Sequence, residues 1–277
     1  MPEGPEIQRA ADRLRRAILD TPLHGVEFGL PALKAHEPVL AASRVSAIET
    51  RGKALLTHFA CGLSVYSHNQ LYGVWRVVKP GVMPVTTRSL RFAVHGERRS
   101  ILLYSASDIA VLDAAGVAAH PFLAKLGPDV LDLSLTEAAV LARLADPRFA
   151  RRRLTGLLLD QGFFAGIGNY LRSEIAFVAG IDPRRRPLDL SAAEAERLAR
   201  AILSVCRQAY LQRGVTNDLA RAAALKAAGR GYEARRFHVF GRDGLPCHAC
   251  GSVIERHDDG RRWYGCPRCQ QSSSIRG

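Results

Sequence analysis

The sequence has no apolar run long enough to cross a bilayer, which excludes a membrane-spanning helix. Its first residues carry Glu3 and Glu6 and lack the apolar stretch of a secretory leader, so the chain reads as soluble and cytoplasmic. Cysteine is scarce, six in 277 residues, too sparse for a secreted disulfide scaffold. No segment repeats at a fixed period, which argues against a solenoid or a propeller. Acidic residues are in deficit, 26 against 39 lysines and arginines, for a formal net charge of +13.

That deficit is uneven. Residues 1–133 hold 15 basic and 12 acidic side chains, and residues 134–277 hold 24 and 14. The excess in the second half points to a polyanionic partner, nucleic acid being the commonest. The alternative is a surface that has drifted toward arginine without function. With 47% hydrophobic residues over this length, two domains with cores of their own are expected.

Residues 5–19 have the period of an amphipathic helix. Ile7, Ala10, Ala11, Leu14 and Ile18 share a face opposite Arg9, Arg13 and Arg16, and Pro5 suits a first turn. From residue 23 to about 105 the pattern changes to short β-branched and aromatic runs at 45–49, 54–59, 63–68, 73–78, 90–94 and 101–104, with a hairpin turn at 95–98. Such spacing predicts a sandwich or barrel. Residues 127–133 read as a linker. Ser134 with Glu137, and Ser191 with Glu194, read as capping boxes opening helices. Residues 214–236 fit either a short helix or a loop. The tail 272–277 is expected to lack order.

Four cysteines form two pairs, Cys247-x2-Cys250 and Cys266-x2-Cys269, with fifteen residues between them. Four thiolates at this spacing suit one structural Zn2+, closed to water and without catalytic function. The intervening stretch reads as a hairpin with strands at 252–256 and 261–264 and a tight turn at Asp259-Gly260. Arg256, Arg261 and Arg262 beside Trp263 and Tyr264 suit a phosphate backbone, or an ordinary solvated turn. Cys61 and Cys206 stand alone and read as buried small hydrophobes.

Gly166-Ile167-Gly168-Asn169 precedes a helical pattern. Glycines there let backbone N–H groups converge on an anion, and Asn169 can add a donor; close helix packing is the other explanation. Ser67-His68-Asn69-Gln70-Leu71-Tyr72-Gly73 joins two strand patterns. Its Gln-Leu-Tyr tip either wedges into a base stack or anchors the loop to the core. Lys53 approaches a strand and either serves phosphate and proton chemistry or is a solvated lysine.

Met1 precedes the small residue Pro2, and removal of Met1 exposes a secondary amine. An α-amino group with a pKa of about 7.7–8.0 is roughly a quarter unprotonated near pH 7.4, against about one part in a thousand for lysine. Such an amine can attack a sugar's anomeric carbon and give an iminium directly, which acidifies the next carbon and permits elimination of phosphate. Glu3 is placed to act as general acid. Otherwise Pro2 merely starts the chain.

These pieces occur together in one family. The chain resembles the formamidopyrimidine-DNA glycosylase/endonuclease VIII family, on its bacterial endonuclease VIII branch. The resemblance rests on Met1-Pro2-Glu3-Gly4-Pro5-Glu6, residues 51–59, the 67–73 loop, residues 102–108, His120-Pro121-Phe122-Leu123, residues 127–131, residues 157–161, Gly166 to Arg172, Val239-Phe240 with Arg242-Asp243-Gly244 and the cysteine quartet, in order along the chain. It implies an α+β fold: an N-terminal β-sandwich with its N-terminal helix (1–133), a helical helix-two-turn-helix domain (134–236) and a zinc-ribbon hairpin (237–271). It implies a bifunctional DNA glycosylase and AP lyase of base excision repair. The expected partner is double-stranded DNA with an oxidised base or abasic site, met by a monomer. Pro2 is then the Schiff-base nucleophile, Glu3 the general acid, Glu6 a supporting carboxylate and Lys53 an aid to β-elimination. Arg261 grips phosphate and helps δ-elimination. Gln70, Leu71 and Tyr72 fill the void left by the extruded nucleotide, and Lys125 and Asn169 contact the DNA backbone. Gly4 and the 67–73 loop favour oxidised pyrimidines such as thymine glycol. The rival readings are a formamidopyrimidine/8-oxoguanine glycosylase and a non-catalytic zinc-ribbon DNA-binding protein.

Overall fold

The computed structural model describes residues 2–270; the expected tail, 272–277, lies outside the described residues. The chain divides into two compact units between Leu126 and Gly127.

The first unit opens with α1 (Gly4–Ile18), entered through Pro5 and buried along Ile7, Ala10, Ala11, Leu14 and Ile18. Then follow β1 (Leu23–Phe28), α2 (Glu37–Ala41), β2 (Val45–Arg51), β3 (Ala54–Phe59), β4 (Ser64–His68), β5 (Val74–Val78), β6 (Leu90–Gly96), β7 (Ser100–Tyr104), β8 (Asp108–Leu112) and α3 (Ala114–Ala119). They form two antiparallel four-stranded sheets, ordered β1-β6-β7-β5 and β2-β3-β4-β8. Inward residues of both sheets, among them Phe28, Ile48, Leu55, Val65, Phe92, Val94 and Leu103, join the apolar face of α1 in one core. Because side chains alternate along a strand, Leu56 and Tyr66 face the other way and pack under Val117, Phe122 and Leu123. This is the expected sandwich with its N-terminal helix. Strand β8 lies beyond the anticipated end of the strand region. Among the described residues it pairs only with β4, and it is half-buried throughout, so its sequence lacks a clean apolar alternation.

The second unit contains α4 (Glu137–Ala145), α5 (Pro147–Ala150), α6 (Leu154–Leu157), α7 (Asn169–Ala179), α8 (Ala192–Leu211), α9 (Leu219–Ala227) and α10 (Tyr232–Arg236). The hairpin strands are β9 (Glu255–His257) and β10 (Trp263–Gly265). Residues 127–133 are not a linker but part of this unit. The N–H of Gly127 donates to Gln161 O at 2.9 Å, that of Val130 donates to Ala165 O at 3.1 Å, and Val130 is fully buried. The Ser191–Glu194 capping box is present. The Ser134–Glu137 box is not: Thr136 caps α4, and Ser134 Oγ bonds Asp132 instead. Residues 214–236 are helical over α9 and α10. Cys206 is buried as expected, whereas Cys61 is exposed at the β3–β4 turn. No helix among the described residues is long and apolar enough to cross a membrane.

Candidate active site and metal centre

Three contacts fix how α1 lies on its sheet. Thr50 Oγ1 donates to Gln8 Oε1 at 2.5 Å, Arg15 Nε donates to Ile48 O at 2.6 Å, and the N–H of Asp20 donates to Val45 O at 3.1 Å. The helix therefore runs antiparallel to β2, and its N-terminus points toward the β2–β3 turn. That turn is Gly52-Lys53, with Gly52 at a left-handed φ of 60°. Pro2, Glu3 and Glu6 thus sit at the same end of the sheet as Lys53. Glu3 is the N-cap residue and is 3% exposed. Glu6 accepts the backbone N–H of Glu3 at 3.1 Å, which ties the two residues at the chain start to the first helical turn.

Strand register brings further groups to this end. Ala54 pairs with His68, and His68 pairs with Asp108. Burial pushes the His68 imidazole below its usual pKa; Asp108 opposes that shift and Lys53 adds to it. A neutral ring suits its observed role, since His68 Nδ1 accepts the N–H of Gln70 at 3.1 Å. Tyr66 donates to Asp108 at 3.2 Å, and its phenol is pushed up by burial and by that carboxylate.

Next to His68 the 70–72 tip projects from the β4–β5 connection. Leu71 is 58% exposed and Tyr72 67%, so neither anchors the loop to the core. Gln70 has φ 50°, and the loop closes where the N–H of Gly73 donates to Asn69 O at 2.7 Å. A Cβ on Gly73 would meet Asn69 backbone at 2.6 Å, so only glycine fits there. His120 and Phe122 pack on Tyr66, with ring centroids 4.1 and 6.4 Å away. That contact holds the short turn Leu123–Lys125, whose Lys125 is exposed.

In the second unit the α6–α7 connection is tied by Gln161. Its side chain accepts from Gly166 N at 3.1 Å and donates to Ile167 O at 2.9 Å. Gly166 has φ 100°, Gly168 caps α7, and Asn169 is the first helical residue. Arg172 is 2% exposed, and the sequence alone assigns it no role. Its Nη2 reaches Asn169 Oδ1 at 2.8 Å and the carbonyls of Arg261 and Arg262 at 2.6 Å each, and Nη1 reaches Thr155 O at 2.8 Å. The structure therefore joins Asn169 and Arg261 through one guanidinium. The next two residues of α7 grip the same hairpin module. Ser173 Oγ accepts from Tyr264 N at 3.2 Å, and the fully buried Glu174 accepts from the N–H groups of His238, Val239 and Phe240 at 2.8–2.9 Å.

The four cysteine sulfurs lie within 4.8 Å of one another. Sγ–Sγ distances of 3.9 Å (Cys247–Cys269) and 3.4 Å (Cys250–Cys266) bracket the edge of roughly 3.8 Å that a tetrahedron with Zn–S of about 2.3 Å requires. Hydrogen bonds from Ser252 push the Cys250 thiol down to about 6, while burial pushes Cys266 and Cys269 up. The donor set, all soft thiolates with no open position, fits a structural metal.

A buried N-cap glutamate at the same end of its sheet as a lysine turn, a glycine-bounded helix start and a four-cysteine hairpin define a class, and comparison with known proteins specifies it. The Formamidopyrimidine-DNA glycosylase N-terminal domain matches residues 1–106, and the Formamidopyrimidine-DNA glycosylase H2TH domain matches residues 126–219. The chain belongs to the formamidopyrimidine-DNA glycosylase family, whose members are DNA glycosylase/AP lyases of DNA repair. Within it the chain is similar to Endonuclease 8 of Escherichia coli, 51% identical over 271 residues covering 98% of this chain and 100% of the relative. It is 50% identical to Endonuclease 8 of Klebsiella pneumoniae over the same shares. In fold it is similar to a MutM in complex with DNA containing carbocyclic 8-oxo-G, with TM-score 0.80 at 20% identity, covering 98% and 100% of the two chains. A complex of the Lactococcus lactis Fpg with abasic-site DNA gives the same values. The second unit's helix-two-turn-helix and four-cysteine hairpin thus accord with the expected architecture.

Proposed function

We propose that this enzyme removes oxidised pyrimidines from duplex DNA through a Schiff base on Pro2, followed by β- and δ-elimination. The observation that supports the reading is the antiparallel seating of α1 on β2, which leaves Pro2 and buried Glu3 at the same end of the sheet as Lys53. With Met1 removed, the Pro2 nitrogen attacks C1′ of an extruded nucleotide, and the C1′–base bond breaks. Glu3 supplies the proton that the departing base or ring oxygen needs. Opening of the sugar leaves an iminium between Pro2 and C1′. Lys53 assists removal of the C2′ proton, which expels the 3′ phosphate. A second elimination, helped by Arg261, expels the 5′ phosphate, leaving a one-nucleotide gap with phosphate at both ends. Glu6 supports the site by holding the Glu3 backbone.

Gln70, Leu71 and Tyr72 occupy the gap in the stack, an assignment that their exposure supports. Lys125 and Asn169 grip backbone phosphates, Lys125 as a point charge. The cysteines hold one Zn2+, which supplies no chemistry and keeps the Arg261 hairpin folded. We read the enzyme as a cytoplasmic monomer acting on the nucleoid. Gly4 after Pro2-Glu3 and the 67–73 loop favour pyrimidine lesions over formamidopyrimidines and 8-oxoguanine. The test is borohydride trapping on duplexes carrying thymine glycol or 8-oxoguanine. A covalent complex on thymine glycol, lost in Pro2→Ala or with Met1 retained, supports the reading. Trapping only on 8-oxoguanine moves the substrate to purines, and trapping that survives Pro2→Ala refutes the nucleophile.

A further inference from the structure

We infer that Arg88 and Ser107 are positioning residues that hold the 70–72 tip in its wedge form before DNA arrives. The inference rests on the wedge role proposed above. Exposed tips of this kind ordinarily fluctuate, because nothing repays the entropy of fixing their backbone. Here the tip is held from outside its own loop. Arg88 Nη1 donates to Tyr72 O at 2.6 Å, and Ser107 Oγ donates to Gln70 Oε1 at 2.6 Å. His68 Nδ1 takes the Gln70 N–H at 3.1 Å, and Asn69 Nδ2 donates to Gly73 O at 3.2 Å. Both ends of the tip are therefore bonded, while Leu71 between them is left to project.

The two supports stand on a common base. Ser105 N donates to Ser89 O at 2.9 Å, and Leu90 pairs with Tyr104 in the β6–β7 ladder. Arg88 and Ser107 leave the sheet just beyond that bridge, so the tip inherits the rigidity of β6 and β7. A wedge fixed in advance loses less entropy on entering a base stack, which lowers the barrier to extruding the nucleotide without touching the chemistry.

Stopped-flow fluorescence of 2-aminopurine beside a tetrahydrofuran abasic analogue reports wedge insertion and needs no bond breaking. Arg88→Ala and Ser107→Ala should each slow insertion by about three- to tenfold, the scale of one hydrogen bond. Arg88→Lys, which keeps a donor, should restore part of the rate. Excision of thymine glycol from a single strand, where no stack is entered, should stay at the wild-type rate in both variants. The salt dependence of duplex binding should keep its slope in Arg88→Ala, since the side chain bonds the tip rather than phosphate. Insertion at the wild-type rate in both variants overturns the inference. So does a smaller salt slope in Arg88→Ala with Ser107→Ala unchanged, which makes Arg88 a phosphate contact. Failure of the Pro2 reading looks different: no covalent trapping by the wild type, with the insertion signal intact.

Discussion

Arg172 donates to the carbonyl of Arg261 at 2.6 Å from a side chain that is almost entirely buried in α7. The same nitrogen holds Asn169 Oδ1, so the amide that opens the helix and the arginine of the hairpin keep one spacing. Arg172→Ala should cost about 3 kcal/mol, because charged hydrogen bonds are lost and main-chain carbonyls are left without a donor. Arg172→Lys keeps the charge but cannot span the same acceptors, and should recover less than half. Melting temperature together with duplex affinity checks this, both falling while the cysteines still bind metal.

On the proposed mechanism, Glu6 acts on the Pro2 nitrogen at one remove. Its carboxylate accepts the N–H of Glu3, and Pro2 is the residue immediately before it. Glu6→Ala should leave the first residues free to wander, and a displacement on the order of 1 Å at a reacting nitrogen can cost up to about a hundredfold in rate. Glu6→Gln retains a carbonyl acceptor and should recover most of the rate. Single-turnover trapping of both variants, with secondary structure unchanged, is the check.

Much of the first unit was legible because its signals are local. The period of α1 and the short apolar runs reflect burial that each segment meets on its own face. Strand β8 escaped notice because a half-buried edge strand needs no alternation. In the second unit, Arg172, Ser173 and Glu174 read as ordinary polar residues of a helix. Their burial makes sense only beside partners such as Tyr264 and Val239, far along the chain. The capping residue of α4 was misplaced for a similar reason. Ser134 and Thr136 both suit a cap, and Asp132 decides between them by taking the Ser134 hydroxyl. Cysteine is usually buried, yet Cys61 is exposed on a turn, which its residue type does not signal.

Chelation should act on the second unit and spare the first. Val239, Ile254 and Tyr264 form a small cluster around the cysteines, with too little apolar surface to stay folded alone. Removing the metal should unfold the hairpin, release the Arg261 carbonyl from Arg172 and abolish duplex binding. The sandwich has a core of its own and should keep its β-sheet signal. Circular dichroism and gel shift before and after chelation, with zinc restored at the end, test both halves. Loss of the sheet signal on chelation would count against independent units.

Acid should act on the second unit through Glu194. Arg185 bonds its two oxygens at 2.6 and 3.0 Å, and Ser191 N–H adds a third bond at 2.8 Å. The Arg185 bond, above all, holds the Glu194 carboxyl down from its usual 4.5 to about 2, despite burial that opposes ionisation. A carboxylate with a lowered folded pKa contributes stability that is complete above 4.5 and disappears as pH falls toward 2. Glu194→Gln should therefore cost about 1–2 kcal/mol at pH 7, where a charge-assisted pair is exchanged for a neutral one. Near pH 2 the folded wild type is half protonated at this position and most of that stability is gone, so the two melting temperatures should converge. Melting curves from pH 7 to pH 2 measure the difference directly, and a gap as wide at pH 2 as at pH 7 would show that the side chain acts by shape rather than by charge.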